Sequence, residues 1–403
     1  MSPESSRMLR WLPICVSWMA VAIGFTPRAL GIETLLVLKT SKEVPRISEG
    51  DLIELSDGRL CVVYSRFTGG GGDHEPADIA VQTSADGGRT WSPPRIVVPN
   101  EGKCNVMSVT VRRLKSGEIL LFYLRKDGQT IGRQGKTAQT DSCLLFVRRS
   151  TDDLHTLSEP VRVTLLDGYH VVNNDRVLQC STGRLIVPVA LHTSFDADGK
   201  VTPAGSASVA FIYYSDDEGR TWHRGQTPIT PMSERKLIVC EPGVVELKDG
   251  RLSMYLRTHY GSVFACDSSD GGLNWSEAKP ISLVSPNSPF TIERSPWTGD
   301  LVCVWNDWRG DHPFRTGTGE RTPLCLAVSH DDGQSWSKSV VLEDNPNGEF
   351  CYTSMTWQKD RLLLTYHDFT GLVNEPQSGD FKVVALSKEW LADQLPAAQK
   401  AQR

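Results

Sequence analysis

Ser84-Ala-Asp86-Gly-Gly88-Arg-Thr90-Trp91 is the stretch whose recurrence decides the fold. Its pattern, Ser-x-Asp-x-Gly-x-Thr-Trp, returns at Ser215-Asp-Asp217-Glu-Gly219-Arg-Thr221-Trp222. Two variants follow, Ser268-Ser-Asp270-Gly-Gly272-Leu-Asn274-Trp275 and Ser329-His-Asp331-Asp-Gly333-Gln-Ser335-Trp336. A degenerate copy, Ser150-Thr-Asp152-Asp-Leu-His-Thr156-Leu157, keeps the spacing without the Gly and Trp. Taken in chain order, the five starts lie 66, 65, 53 and 61 residues apart. A short Asp accepts hydrogen bonds from the backbone of its own turn. The Gly supplies a backbone conformation that a Cβ opposes. The Trp is then placed to fold back over the hairpin. These boxes are structural.

A second repeat is independent of the first. Short polar turns precede apolar strands at Asp57-Gly58, Ser116-Gly117, Thr182-Gly183, Asp249-Gly250, Thr298-Gly299 and Lys359-Asp360. Each is a hairpin signal between β-rich segments. One unit is about 60 residues of strand and turn with no long helical period, which suits a four-stranded propeller blade. Six units predict an all-β chain folded as one six-bladed β-propeller over residues 32–395, with a disordered tail at 396–403.

The ends and the composition bound the setting. Arg7 and Arg10 precede an apolar stretch, Trp11 to Phe25, too short for a comfortable span. Residues 1–31 therefore read as an export signal, and the protein as secreted or periplasmic. A formal net charge of -5 argues against a nucleic-acid partner. No second apolar run suggests an integral membrane domain, and a monomer is expected. Ten cysteines, one of them inside the signal, leave an odd number, with one or two bridges open after export. Cys61, Cys143, Cys303 and Cys325 sit in apolar runs and read as small buried hydrophobes. No Cys/His spacing suggests zinc, and the sequence calls for no metal or organic cofactor.

Six units with such boxes resemble the sialidase (neuraminidase) superfamily, and the resemblance covers nearly the whole exported chain. It implies an exo-glycosidase acting on a terminal acidic sugar of a glycan or glycoconjugate. A carboxylate on the anomeric carbon wants an arginine cluster, whose planar fork pairs with it. It also repels a carboxylate nucleophile, and the family uses Tyr instead. A phenol titrates near pH 10, so a neighbouring Glu must take its proton.

Residue by residue, Cys240-Glu241-Pro-Gly with Arg257 ending the next strand is similar to the family segment that carries the helper Glu and the second arginine. Cys351-Tyr352-Thr-Ser354 resembles the nucleophile segment. Arg321, eight residues before the box Ser329, resembles the third arginine, with Arg309 and Arg315 as competitors. Asp73 follows Tyr64-Ser65-Arg66 and the glycines at 69–72, as the acid/base residue does in the family. Asp78 reads as structural. Arg46 is the counterpart of the first arginine, in altered company: Arg46-Ile47-Ser48-Glu49-Gly50-Asp51 lacks the family's Pro and carries two acids. The family's supporting Glu after the last-blade strand is replaced by His367, with Asp368 as a substitute. Arg66, His170, Asn174 and Arg176 are further substrate-binding candidates, and Asn105 to Ser108 occupies the matching place in blade two. Two alternatives remain: an acidic-polysaccharide lyase using His170, His259 or Tyr260, and a non-catalytic glycan-binding propeller.

Overall fold

The computed structural model describes residues 31–128, 143–195, 201–226, 229, 239–308, 321–369 and 379–394, with the side chains of 193–195 and 201–207 left aside. The expected export signal, the tail, and Arg309 and Arg315 lie outside these residues. Among the described residues there are 25 strands and one short helix, Lys388–Gln394.

The strands form four sheets of four strands and one of nine. The large sheet is two sets joined by one parallel contact, Tyr169 with Cys143. Six consecutive strand sets result, beginning at Arg46, Asn105, Tyr169, Val239, Thr291 and Phe350. We call these blades one to six. The N-terminal strand Ile32–Leu38 pairs antiparallel with Asp380–Ser387, so the start of the chain supplies the outer strand of blade six. Strands alternate their faces, and both faces of each inner sheet pack on a neighbour. Phe122 meets Trp222 edge-on at 5.9 Å between blades two and three, and Trp297 meets Trp357 at 4.9 Å between blades five and six.

The boxes behave as their chemistry demands. Asp86 Oδ1 accepts from Ser84 Oγ at 2.8 Å and from the Thr90 amide at 2.9 Å, and Oδ2 accepts from Thr90 Oγ1 at 2.6 Å. Trp91 Nε1 donates back to the Gly88 carbonyl at 3.0 Å. The degenerate copy keeps every Ser/Asp/Thr bond. There Leu154 takes the left-handed conformation (φ 64°) that Gly occupies elsewhere, and its fully buried side chain offsets that strain. Cys61, Cys143, Cys303 and Cys325 are buried, and no disulfide joins the nine described cysteines.

Candidate active site

Four inner strands break register at the same level of the propeller. The breaks fall between Ser48 and Asp51, Met107 and Thr110, Cys240 and Gly243, and Cys351 and Ser354. At each break one non-glycine residue has a positive φ: Glu49 (49°), Ser108 (57°), Glu241 (42°) and Tyr352 (58°). A bulge re-aims a side chain that the pleat would otherwise alternate away. A left-handed non-glycine residue costs about 1–3 kcal/mol. Repeating that cost four times at one level marks where the fold spends strain on chemistry.

In blade four, Arg257 pairs with Cys240 across the ladder, which sets it beside Glu241. Its Nη1 donates to Glu241 Oε2 at 2.5 Å, and both side chains are about nine-tenths buried. Asn287, unremarked in the sequence, fixes the other edge of the guanidinium: Nε donates to its Oδ1 at 2.8 Å and Nη2 to its carbonyl at 3.0 Å. Arg321 lies over the Tyr352 ring, 5.6 Å from its centroid, and donates to Cys351 Sγ at 3.1 Å. Burial drives the Tyr352 phenol well above its ordinary range; Glu241 and Glu49 push the same way, while Arg321 and Arg257 pull against them. Tyr352, Glu241, Arg257 and Arg321 thus lie within one electrostatic neighbourhood. The phenol is neutral near pH 7 and needs a base to become a nucleophile.

Arg46 closes the group from blade one. It is 2% exposed, and its guanidinium stacks on Phe67 at 4.5 Å. Nε donates to Ser48 Oγ at 2.8 Å, and Nη2 to Glu49 Oε1 at 2.8 Å. Nη1 reaches the glycine-rich loop twice, at the Gly71 carbonyl (3.2 Å) and Asp73 Oδ1 (2.6 Å). Asn105 Nδ2 and Lys126 Nζ both donate to the Asp73 carbonyl, at 2.9 and 3.1 Å, and tie that loop to blade two. Burial alone would raise the Asp73 carboxyl; Arg46 and Lys126 outweigh it and hold the group well below the usual carboxylate range. Lys126 carried no signal in the sequence beyond ending an apolar strand.

Other candidates take different places. Arg66 turns away from this group and forms a two-pronged pair with Asp78, at 2.9 and 2.7 Å, across blade one. His170 is a core residue, fully buried with Nδ1 at 3.2 Å from the Cys143 carbonyl and Nε2 at 3.3 Å from Tyr213 Oη. Burial lowers it to about 4, so it is neutral and committed. Asn174 is also fully buried, and its Nδ2 donates to the carbonyls of Gly50 (2.8 Å) and Tyr352 (3.0 Å); it supports the Tyr352 strand from behind. Arg176 is buried against Thr291 Oγ1 and the Phe290 carbonyl. Asp368 pairs with Lys382 at 2.8 Å, and the acids beside Arg46 are Glu49 and Asp73. His259 and Tyr260 are exposed on the turn after Arg257.

The opposite end of the inner strands has a different character. A cavity of about 520 Å³ there is lined by Arg112, Asp175, Glu293, Arg294 and Trp357, among others. Burial raises the Asp175 and Glu293 carboxyls, and Arg112 partly counters both. Asp175 accepts from the Met355 amide at 2.9 Å, so this network stitches the inner strands together.

Comparison with known proteins bears on the fold and the family. Residues 58–364 match the BNR repeat-like domain. A sialidase from Micromonospora viridifaciens is 27% identical over 363 residues, covering 82% of this chain and 48% of that protein. A sialidase from Bacteroides fragilis is 25% identical over 358 residues, covering 78% and 58% respectively. The chain thus spans about half the length of these curated relatives. Among solved structures, Trypanosoma rangeli sialidase in complex with sialic acid superposes with a TM-score of 0.67 at 16% identity, covering 91% of this chain and 60% of that one. A Dyadobacter fermentans protein of unknown function superposes at 0.65 and 17% identity, covering 89% of this chain and all of the other. The fold is that of the sialidase β-propellers, and the chain belongs to the BNR repeat-like family of the sialidase superfamily.

Proposed function

We propose that this protein is a retaining exo-glycosidase that removes a terminal acidic sugar, most simply sialic acid, from exported or extracellular glycoconjugates. The observation that carries the reading is the meeting of Tyr352, Glu241, Arg257 and Arg321 in one electrostatic neighbourhood, with Arg46 and Asp73 joined to it. Arg46, Arg257 and Arg321 clamp the sugar carboxylate. Tyr352 Oη attacks the anomeric carbon while Glu241 takes its proton, and the carbon–oxygen bond to the leaving group breaks as Asp73 protonates that oxygen. In the second half Asp73 removes a proton from water, the water oxygen displaces Tyr352, and the phenolate recovers its proton from Glu241.

The pairing with Arg46 suggests how Asp73 would become an acid. Paired with Arg46, its carboxyl is held too low to donate a proton near neutrality. An incoming carboxylate competes for the same guanidinium nitrogen. Asp73 then loses its strongest partner, and its pKa rises towards the range a general acid needs.

The lyase reading loses its His170 candidate, which is buried with both ring nitrogens engaged, while His259 and Tyr260 stay exposed after Arg257. The reading is tested by turnover of a fluorogenic sialic-acid glycoside by wild type and by Tyr352→Phe. Turnover by wild type that falls by about a thousandfold or more in the variant is expected. No turnover by folded wild type, or an unaffected variant, contradicts the assignment.

A further inference from the structure

Arg46 carries two carboxylates that differ in kind. The Glu49 side chain is 5% exposed and the Asp73 side chain 47%. Glu49 lies on the inner strand itself, three residues from Arg46, at the bulge that matches those of Glu241 and Tyr352. Its second oxygen accepts from Ser108 Oγ, and Ser108 is the bulge residue of the next blade. The Ser108 amide donates in turn to Ser65 Oγ at 3.0 Å. Both ends of this chain of bonds are anchored in β-strands. Asp73 sits in a loop after four glycines and is fixed through its backbone carbonyl, which leaves its carboxylate the part able to move.

A buried guanidinium stripped of its counter-charge is strongly destabilised. Were Asp73 the only partner, its departure towards a leaving group would strand Arg46. We propose that Glu49 is the positioning residue of the site: the permanent counter-charge that keeps Arg46 in place while Asp73 exchanges between Arg46 and the substrate. The exchange half of this rests on the function proposed above; the permanence of the Glu49 bond does not. The alternative acid, Asp368, is paired with Lys382. His367, buried nearby, is driven to its neutral form by burial, with Arg46 and Arg321 adding to the effect.

The test is ¹⁵N NMR of the arginine side chains in the full protein without substrate, with Arg46→Lys used to assign the Arg46 Nε–H. In wild type this proton, donated to Ser48, exchanges slowly. Glu49→Gln is expected to speed its exchange by about tenfold or more, whereas Asp73→Asn changes it by less than about threefold. The reverse order, or unchanged protection in Glu49→Gln, overturns the proposal. Should Glu49→Gln fail to fold, Ser108→Ala, which removes one of the two Glu49 bonds, must speed exchange by about threefold, and no change there overturns it equally. In turnover, Glu49→Gln raises KM more than it lowers kcat, and His367→Glu in the same chain restores part of the loss. Because exchange is read without substrate, a protein that hydrolyses nothing refutes the proposed function, while intact Arg46 protection in Glu49→Gln refutes only the role of Glu49.

Discussion

Blades one and four each hold a buried arginine, by different means. In blade four, one carboxylate does everything: Glu241 is both the only ion-pair partner of Arg257 among the described residues and the group placed to take a proton from Tyr352. In blade one the work is divided between Glu49, buried and anchored, and Asp73, half-exposed and on a loop. In the proposed mechanism the difference follows from what each carboxylate must do. Glu241 exchanges a proton with a neighbour and need not move, so Asn287 can lock its arginine from the far side. Asp73 must reach the leaving oxygen and then a water, so its arginine needs a second, fixed partner.

The largest expected effects separate these two halves. Glu241→Gln removes a base and the charge beside Arg257, and should lower kcat/KM by about 10²–10⁴-fold with a rise in KM. Asp73→Asn removes an acid, and should cost about as much on a sugar leaving group. On an aryl glycoside, whose phenol departs with little help, the Asp73→Asn loss should be much smaller, while the Glu241→Gln loss should not. Equal losses on both substrates for both variants would erase the distinction.

A second contrast concerns pH and stability. His170 ionises freely when unfolded but is lowered to about 4 in the core. A depressed histidine pKa means that the unfolded chain binds the proton more tightly. The stabilisation is therefore complete above about pH 6.5 and is lost as pH falls towards 4, by about 3 kcal/mol in all. Denaturant unfolding across pH 7 to 4 should show this slope, and His170→Gln should flatten it. An unchanged slope in the variant would mean that other groups set the acid sensitivity.

The smallest effect tests a correction. Arg66 pairs with Asp78 at a partly exposed position, so Arg66→Ala should cost under about 1 kcal/mol of stability and leave KM unchanged. A marked rise in KM would return Arg66 to the carboxylate clamp.

Legibility in the sequence followed the range of the interactions. The boxes could be read because their bonds close within eight residues, and the degenerate copy keeps every Ser/Asp/Thr bond despite losing its Gly and Trp. Tyr352, Glu241, Arg257 and Arg321 could be named as candidates through family resemblance, and the structure brings the four together. Arg66, His170, Asn174 and Arg176 could not be placed from the sequence, because a polar residue near a strand end says nothing of the direction in which its side chain leaves the pleat. Glu49 was read as an intrusion beside Arg46, since a bulge that turns an i+3 neighbour back onto the arginine depends on left-handed backbone that residue identity does not declare. One signal was available: Glu49, Ser108 and Glu241 each lie nine residues before the glycine of the following turn.

The central claim is that Tyr352 is the nucleophile served by this arrangement. It is tested most directly by mass spectrometry of the protein after incubation with a fluorinated sialic-acid substrate that forms its glycosyl intermediate faster than it loses it. The account predicts one sugar added to the peptide containing Tyr352, and none in Tyr352→Phe. A sugar attached to another residue, or turnover of the parent substrate with inversion at the anomeric carbon, would contradict it.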